Sequence, residues 1–87
     1  MIHHQTLYLK SQLILKLEAL RGTPGASPDE KFALAYKAAR LELELVEHYN
    51  SASDIPNTTI SLLSALSLLD DAVAFNRIRQ LETTKQQ

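Results

Sequence analysis

The sequence predicts an all-α domain folded as a three-helix antiparallel, up-down-up bundle, and three observations carry that expectation. Apolar residues recur at helical spacing in three segments, two polar breaks separate the segments, and Ser27-Pro28-Asp29-Glu30 has the make-up of a helix start. Apolar residues are 45% of the 87, and leucine alone is roughly one residue in five or six. Such a composition argues against disorder, at a length where one core is only just sufficient. The chain reads as a single domain, 1–87, with ends fraying over about 1–4 and 83–87.

The first helix is expected over about 5–21, because Leu9, Leu13, Leu17 and Leu20 recur every three or four residues. Gly22 reads as its C′ stop. The segment Gly22-Thr23-Pro24-Gly25-Ala26 holds both glycines and one of the three prolines, so the chain reverses there. Ser27 at N-cap, Pro28 at N1 and Glu30 at N3 then form a capping box, with Glu30 returning a hydrogen bond to the cap.

The second helix is expected over about 28–49, with Phe32, Ala35, Tyr36, Ala39, Leu43 and Val46 as one stripe. Within it Leu41-Glu42-Leu43-Glu44-Leu45 alternates as a half-buried strand would. Leu and Glu favour helix, however, and no turn residue interrupts the segment, so helix is the reading. Residues Asn50 to Asn57 form the second polar break, after which Asn57, Thr58 or Thr59 caps a third helix over about 58–82.

The helix faces carry more apolar residues than a bundle needs. Helix 1 adds the pair Leu7 and Ile14 to its main stripe, and helix 2 has a second stripe, Leu34, Ala38, Leu41, Leu45 and Tyr49. Helix 3 is apolar almost all round from Ile60 to Leu69, with Leu62, Leu66, Leu69 and Val73 on one face. Its serines Ser61, Ser64 and Ser67 would permit close helix approach. A helix in a three-helix bundle buries roughly a third of its circumference. The surplus points to a partner, with Leu34, Ala38, Leu41, Leu45, Tyr49, Leu7 and Ile14 as the expected interface; the alternative is that long helices overlap more than a simple bundle implies and leave scattered leucines exposed. The first stripe of helix 2, with its larger side chains and both aromatic rings, is then the core.

The net charge of −1 gives no broad basic field, so nucleic acid is not an expected partner. The chain has no cysteine, which removes disulfides, thiolate metal sites and cysteine nucleophiles. The first residues lack the pattern of a secretory signal, leaving the cytoplasm as the default location. The apolar run Ile60 to Leu69 ends at Asp70-Asp71, short of the ~20 residues of a membrane span. It reads as a buried helix, with no membrane partner.

Candidate chemistry is thin. Glu44, Glu47 and His48 share one turn, but the position three before His48 is Leu45, where a di-iron bundle places glutamate. His3 and His4 are adjacent, so a helix sends them to different faces. Asp70 and Asp71 interrupt the most apolar stretch; they read first as a solvated face, and otherwise one of them is a register-setting group paired with a Lys or Arg of helix 1 or of a partner chain. Arg77 lies on Asp70's side of the helix, two turns on. No phosphate loop, nucleophile elbow or catalytic triad order is present, so neither enzyme activity, nor a cofactor or metal, nor a small-molecule ligand is expected. The resulting expectation is a non-enzymatic helical protein–protein interaction module: a homodimer, or an adaptor or chaperone-like member of a small hetero-complex. The alternative is a small regulatory protein acting on nucleic acid through Asn76 to Gln80 at the end of helix 3.

Overall fold

The computed structural model describes the backbone of residues 2–86, with the side chains of 4–82 and of Thr84. Three helices make up the chain: α1 (Ile2–Arg21), α2 (Pro28–Ser51) and α3 (Ile55–Gln86), with no strand among the described residues. The 32 residues of α3 span about 48 Å at the rise of an α-helix. That length accounts for the long axis of a 50 × 19 × 17 Å molecule. Contacts between Lys10 and Glu42, Arg21 and Asp71, and Asp29 and Arg79 fix the up-down-up order. The layout is not a closed triangle. α2 packs on both neighbours, while among the described residues no Cα of α1 comes within 8 Å of a Cα of α3.

The helix ends follow local chemistry. At the start of α2, Ser27 Oγ accepts a hydrogen bond from Asp29 N at 3.2 Å, and Pro28 occupies the first turn. The expected return bond from Glu30 is not made, so this is a cap without the reciprocal half of a box. Gly22 is not the left-handed stop of α1; positive φ falls on Gly25, at 81°. Thr23-Pro24-Gly25-Ala26 is a β-turn closed by Ala26 N to Thr23 O at 3.2 Å. Pro24 presets the first corner and Gly25 takes the φ that the second requires. α2 runs to Ser51 and closes in a Schellman arrangement: Asp54 N donates to Tyr49 O at 2.9 Å and Ser53 N to Asn50 O at 3.0 Å. Ser53 takes the left-handed position, at φ 59°.

α3 begins at Ile55, three residues earlier than the sequence suggests, because Asp54 is the cap. Its carboxylate accepts from Asn57 N at 3.3 Å and from Asn57 Nδ2 at 2.7 Å. Pro56 then sits in the first turn, where a missing N–H costs nothing. Helical backbone also covers 2–4 and 83–86, where fraying is expected; Met1 and Gln87 lie outside the described residues.

The core is built mainly of small residues. Ala35, Ala38, Ala39, Ala65 and Ala72 are buried with Leu17, Leu45 and Leu68, and Leu13, Ile14, Phe32, Leu34, Leu69 and Phe75 close over them. Alanines on the facing sides of α2 and α3 permit a close approach of the two backbones, since little side-chain bulk stands between them. The face of α2 turned inward therefore draws on both stripes read from the sequence. Ala35 and Ala39 come from the first, Ala38 and Leu45 from the second, while Tyr36 and Leu43, assigned to the core, are exposed.

Candidate interaction surface

Among the described residues, three polar ones are buried with the alanines: Thr6, Glu42 and Ser61. Glu42 belongs to the alternating segment of α2, which is helical throughout. Its carboxylate meets Lys10 Nζ of α1 at 3.0 Å, with only 3% of the Glu42 side chain exposed. An acid so enclosed needs its cation, and the pair ties α1 to α2 at one height. Further along, Arg21 at the end of α1 forms an ion pair with Asp71 of α3 and reaches Glu18 at 3.4 Å. These groups line a cleft of about 280 Å³ between α1 and α3, together with Ser64 and Ser67. Its Lys and Arg side chains are each matched to a carboxylate.

In the first turns of α2, the Arg79 guanidinium lies 4.3 Å from the centre of the Phe32 ring and 3.5 Å from Asp29. Phe32 stacks on Tyr36 at 5.8 Å, and Arg40 caps that ring from 5.9 Å. Glu44, Glu47 and His48 are all exposed, with His48 edge-on to Tyr49 at 5.6 Å. Among the described residues no three His, Asp or Glu side chains gather into a metal-binding group. His4 is exposed on α1, and the side chain of His3 lies outside the described residues.

The expected interface residues are scattered by the fold. Ala38 and Leu45 are closed off inside the chain's own core, at 0% and 1% exposure, and cannot meet a partner. The reasoning that large side chains must face inward fails here, because alanine allows closer packing than any of them. Leu7, Ile14, Leu34, Leu41 and Tyr49 are half-buried. Leu34 and Leu41 line shallow clefts between α1 and α2, of about 450 and 340 Å³. Of the two aspartates, Asp71 is paired with Arg21 of α1, and the Asp70 side chain is exposed with no bonding partner among the described residues.

The large unpartnered apolar surface lies on α3. Ser61, Ala65, Leu68 and Ala72 turn inward, which leaves Leu62, Leu63, Leu66 and Val73 on the outer side, at 43%, 61%, 56% and 52% exposure. Ile55 lies at one end of this stripe and Leu81 at the other, both exposed. The segment read as a buried helix is thus largely uncovered. By length and composition Ile55–Glu82 is long and apolar enough to cross a membrane, and 22% of its most apolar window is buried in the fold. Asp70 and Asp71 fall within that stretch.

Fold and surface together define a small all-α chain with an alanine-lined seam inside and a leucine-rich stripe outside. No family model matches the chain, no curated protein is significantly similar to it in sequence, and no solved structure is significantly similar to it in fold.

Proposed function

We propose that the protein is a non-enzymatic helical interaction module that docks another helical protein surface on the outer face of α3. The observation that carries this reading is the placement of Leu62, Leu63, Leu66 and Val73 outside while alanines fill the inside. Scattered exposed leucines are ordinary, but a continuous stripe on one helix is the usual mark of an interface. Each of these side chains is about half exposed, so covering it fully gains roughly 1 kcal/mol of the ~1.5–3 kcal/mol available to a large apolar side chain. Four or five on each of two partners give on the order of 10 kcal/mol, comparable with the entropic cost of association. The energetics fit a reversible complex that α3 alone can sustain. Charged cleft residues that are already paired with one another offer little to a substrate, which supports a binding role over a catalytic one.

The test is Leu62→Glu with Leu66→Glu, two exposed positions whose replacement leaves the α2–α3 seam intact. Circular dichroism should show the helices retained. Sedimentation should show wild-type self-association abolished, or a pull-down with mass spectrometry should show a specific protein captured by wild type and lost from the variant. A wild type that stays monomeric and captures nothing defeats the proposal, as does a variant that associates as well as wild type. Flotation of the wild type with lipid vesicles, abolished by the same substitutions, would instead assign the stripe to a membrane surface. Binding to DNA or RNA that weakens steeply with salt would assign the protein to nucleic acid.

A further inference from the structure

We infer that the occupant of the α3 face is α3 of a second copy of this chain, antiparallel, with Asp70 of each copy paired to Arg77 of the other. The inference rests on the docking role just proposed and adds the partner's identity and register. Its basis is charge complementarity along the stripe. At 100° per residue, Leu66, Asp70, Val73, Arg77 and Leu81 fall within one sector on the side of α3 away from α2, and all five are exposed. Asp70 and Arg77 are the charged members of that sector, and neither side chain makes an ion pair or hydrogen bond among the described residues, unlike Asp71, Arg21 and Arg79.

The sequence intervals decide the geometry. Val73 lies three residues after Asp70 and four before Arg77, and Leu66 and Leu81 lie a further four residues out on either side. An antiparallel partner whose two-fold axis passes beside Val73 therefore sets Asp70 opposite Arg77 twice, by symmetry, and Leu66 opposite Leu81 twice. The centre is Val73 against Val73 and Ala74 of the other copy. Other arrangements lose this match. A parallel, in-register pair opposes Asp70 to Asp70 and Arg77 to Arg77. An antiparallel pair centred on Leu66 covers more leucine but sets both Asp70 carboxylates against Leu62 and Leu63 with no cation in reach. A carboxylate taken out of water without its partner is heavily penalised, so the charges fix the register among otherwise similar apolar contacts. Closed two-fold pairing also covers the stripe from Leu62 to Leu81 and does not propagate to further copies.

Charge reversal tests the arrangement. Asp70→Arg and Arg77→Asp should each weaken the dimer by about tenfold or more, because each single reversal opposes like charges twice. The double variant D70R/R77D should return to within a few-fold of wild type in sedimentation equilibrium. The absence of cysteine makes single-cysteine cross-linking clean. Val73→Cys should form a disulfide dimer under mild oxidation, and a mixture of Leu66→Cys and Leu81→Cys chains should cross-link to each other in preference to themselves. Self-linking of Leu66→Cys alone would overturn the register in favour of a parallel pair or one centred on Leu66. Single reversals that leave the mass unchanged, or a double variant that fails to recover, would also overturn it. If those controls fail while Leu66→Glu still abolishes binding to some other protein, the second-copy inference falls and the docking role stands. If Leu66→Glu changes nothing, both fall.

Discussion

The inner and outer faces of α3 are made of opposite materials. Facing α2 are Ser61, Ala65, Leu68 and Ala72; facing away are Leu62, Leu63, Leu66 and Val73. The polar groups differ in the same way. On the inner side Glu42 is enclosed and paired with Lys10, while on the outer side the Asp70 and Arg77 side chains stand apart with no partner among the described residues. Size therefore does not order this molecule from inside to outside. Closeness of approach orders it: two helices in near contact gain dispersion energy along their backbones and need only small side chains between them. The bulk so displaced becomes a surface with its own use.

Four substitutions break or sharpen this contrast. The largest effect is expected at the buried ion pair, where Lys10→Met leaves the Glu42 carboxylate enclosed without its cation and should cost about 3 kcal/mol in urea unfolding. Asp70→Asn, on the outer face, should change monomer stability by less than ~0.5 kcal/mol. Next is Ala65→Leu, which forces α2 and α3 apart and should cost about 2 kcal/mol, whereas Leu66→Ala one residue along should leave the unfolding midpoint of the dilute monomer nearly unmoved. If Ala65→Leu were tolerated as well as Leu66→Ala, the seam would not be close-packed.

Smaller effects come from the helix ends. Ser27→Ala should lower stability by about 1 kcal/mol through loss of the acceptor for Asp29 N, read as a fall in thermal midpoint. Glu30→Ala should do much less, since no return bond is formed. Ser53→Gly should raise stability by about 0.5 kcal/mol, because glycine takes the left-handed backbone without the cost a side chain carries there.

The elements were legible in the sequence because their signals are local. Leucine spacing, the Ser27-Pro28 start and the glycine–proline turn each act within a few residues, and each falls where the structure puts a helix or a break. The cap of α3 was misplaced by three residues because Pro56 draws attention to the loop, although Asp-x-Pro is itself a helix start with proline in the first turn. The inward faces were not legible. α2 is apolar on two sides, and nothing local says that its alanines, with Leu45, are the shared inner line. One signal was available: Ala35, Ala38, Glu42 and Leu45 follow one another at three, four and three, so Glu42 continues the alanine face and marks it as the buried one. The sequence did not say which of Asp70 and Asp71 finds a partner; only the fold, by bringing Arg21 to Asp71, decides it.

The open attachment of α1 sets an order of events in time. α2 and α3 are joined by Ala52, Ser53 and Asp54 alone, so the contacts of their seam close over a short stretch of chain at little entropic cost. α1 arrives on a surface already formed, where Glu42 and Asp71 wait for Lys10 and Arg21. The same asymmetry runs in reverse in the native state: α1 is the unit that lifts away most cheaply, carrying Leu17 out of the core while the hairpin of α2 and α3 stays closed. Amide hydrogens of α1 should therefore exchange ahead of those along Ala35 to Leu45 and Ala65 to Ala72.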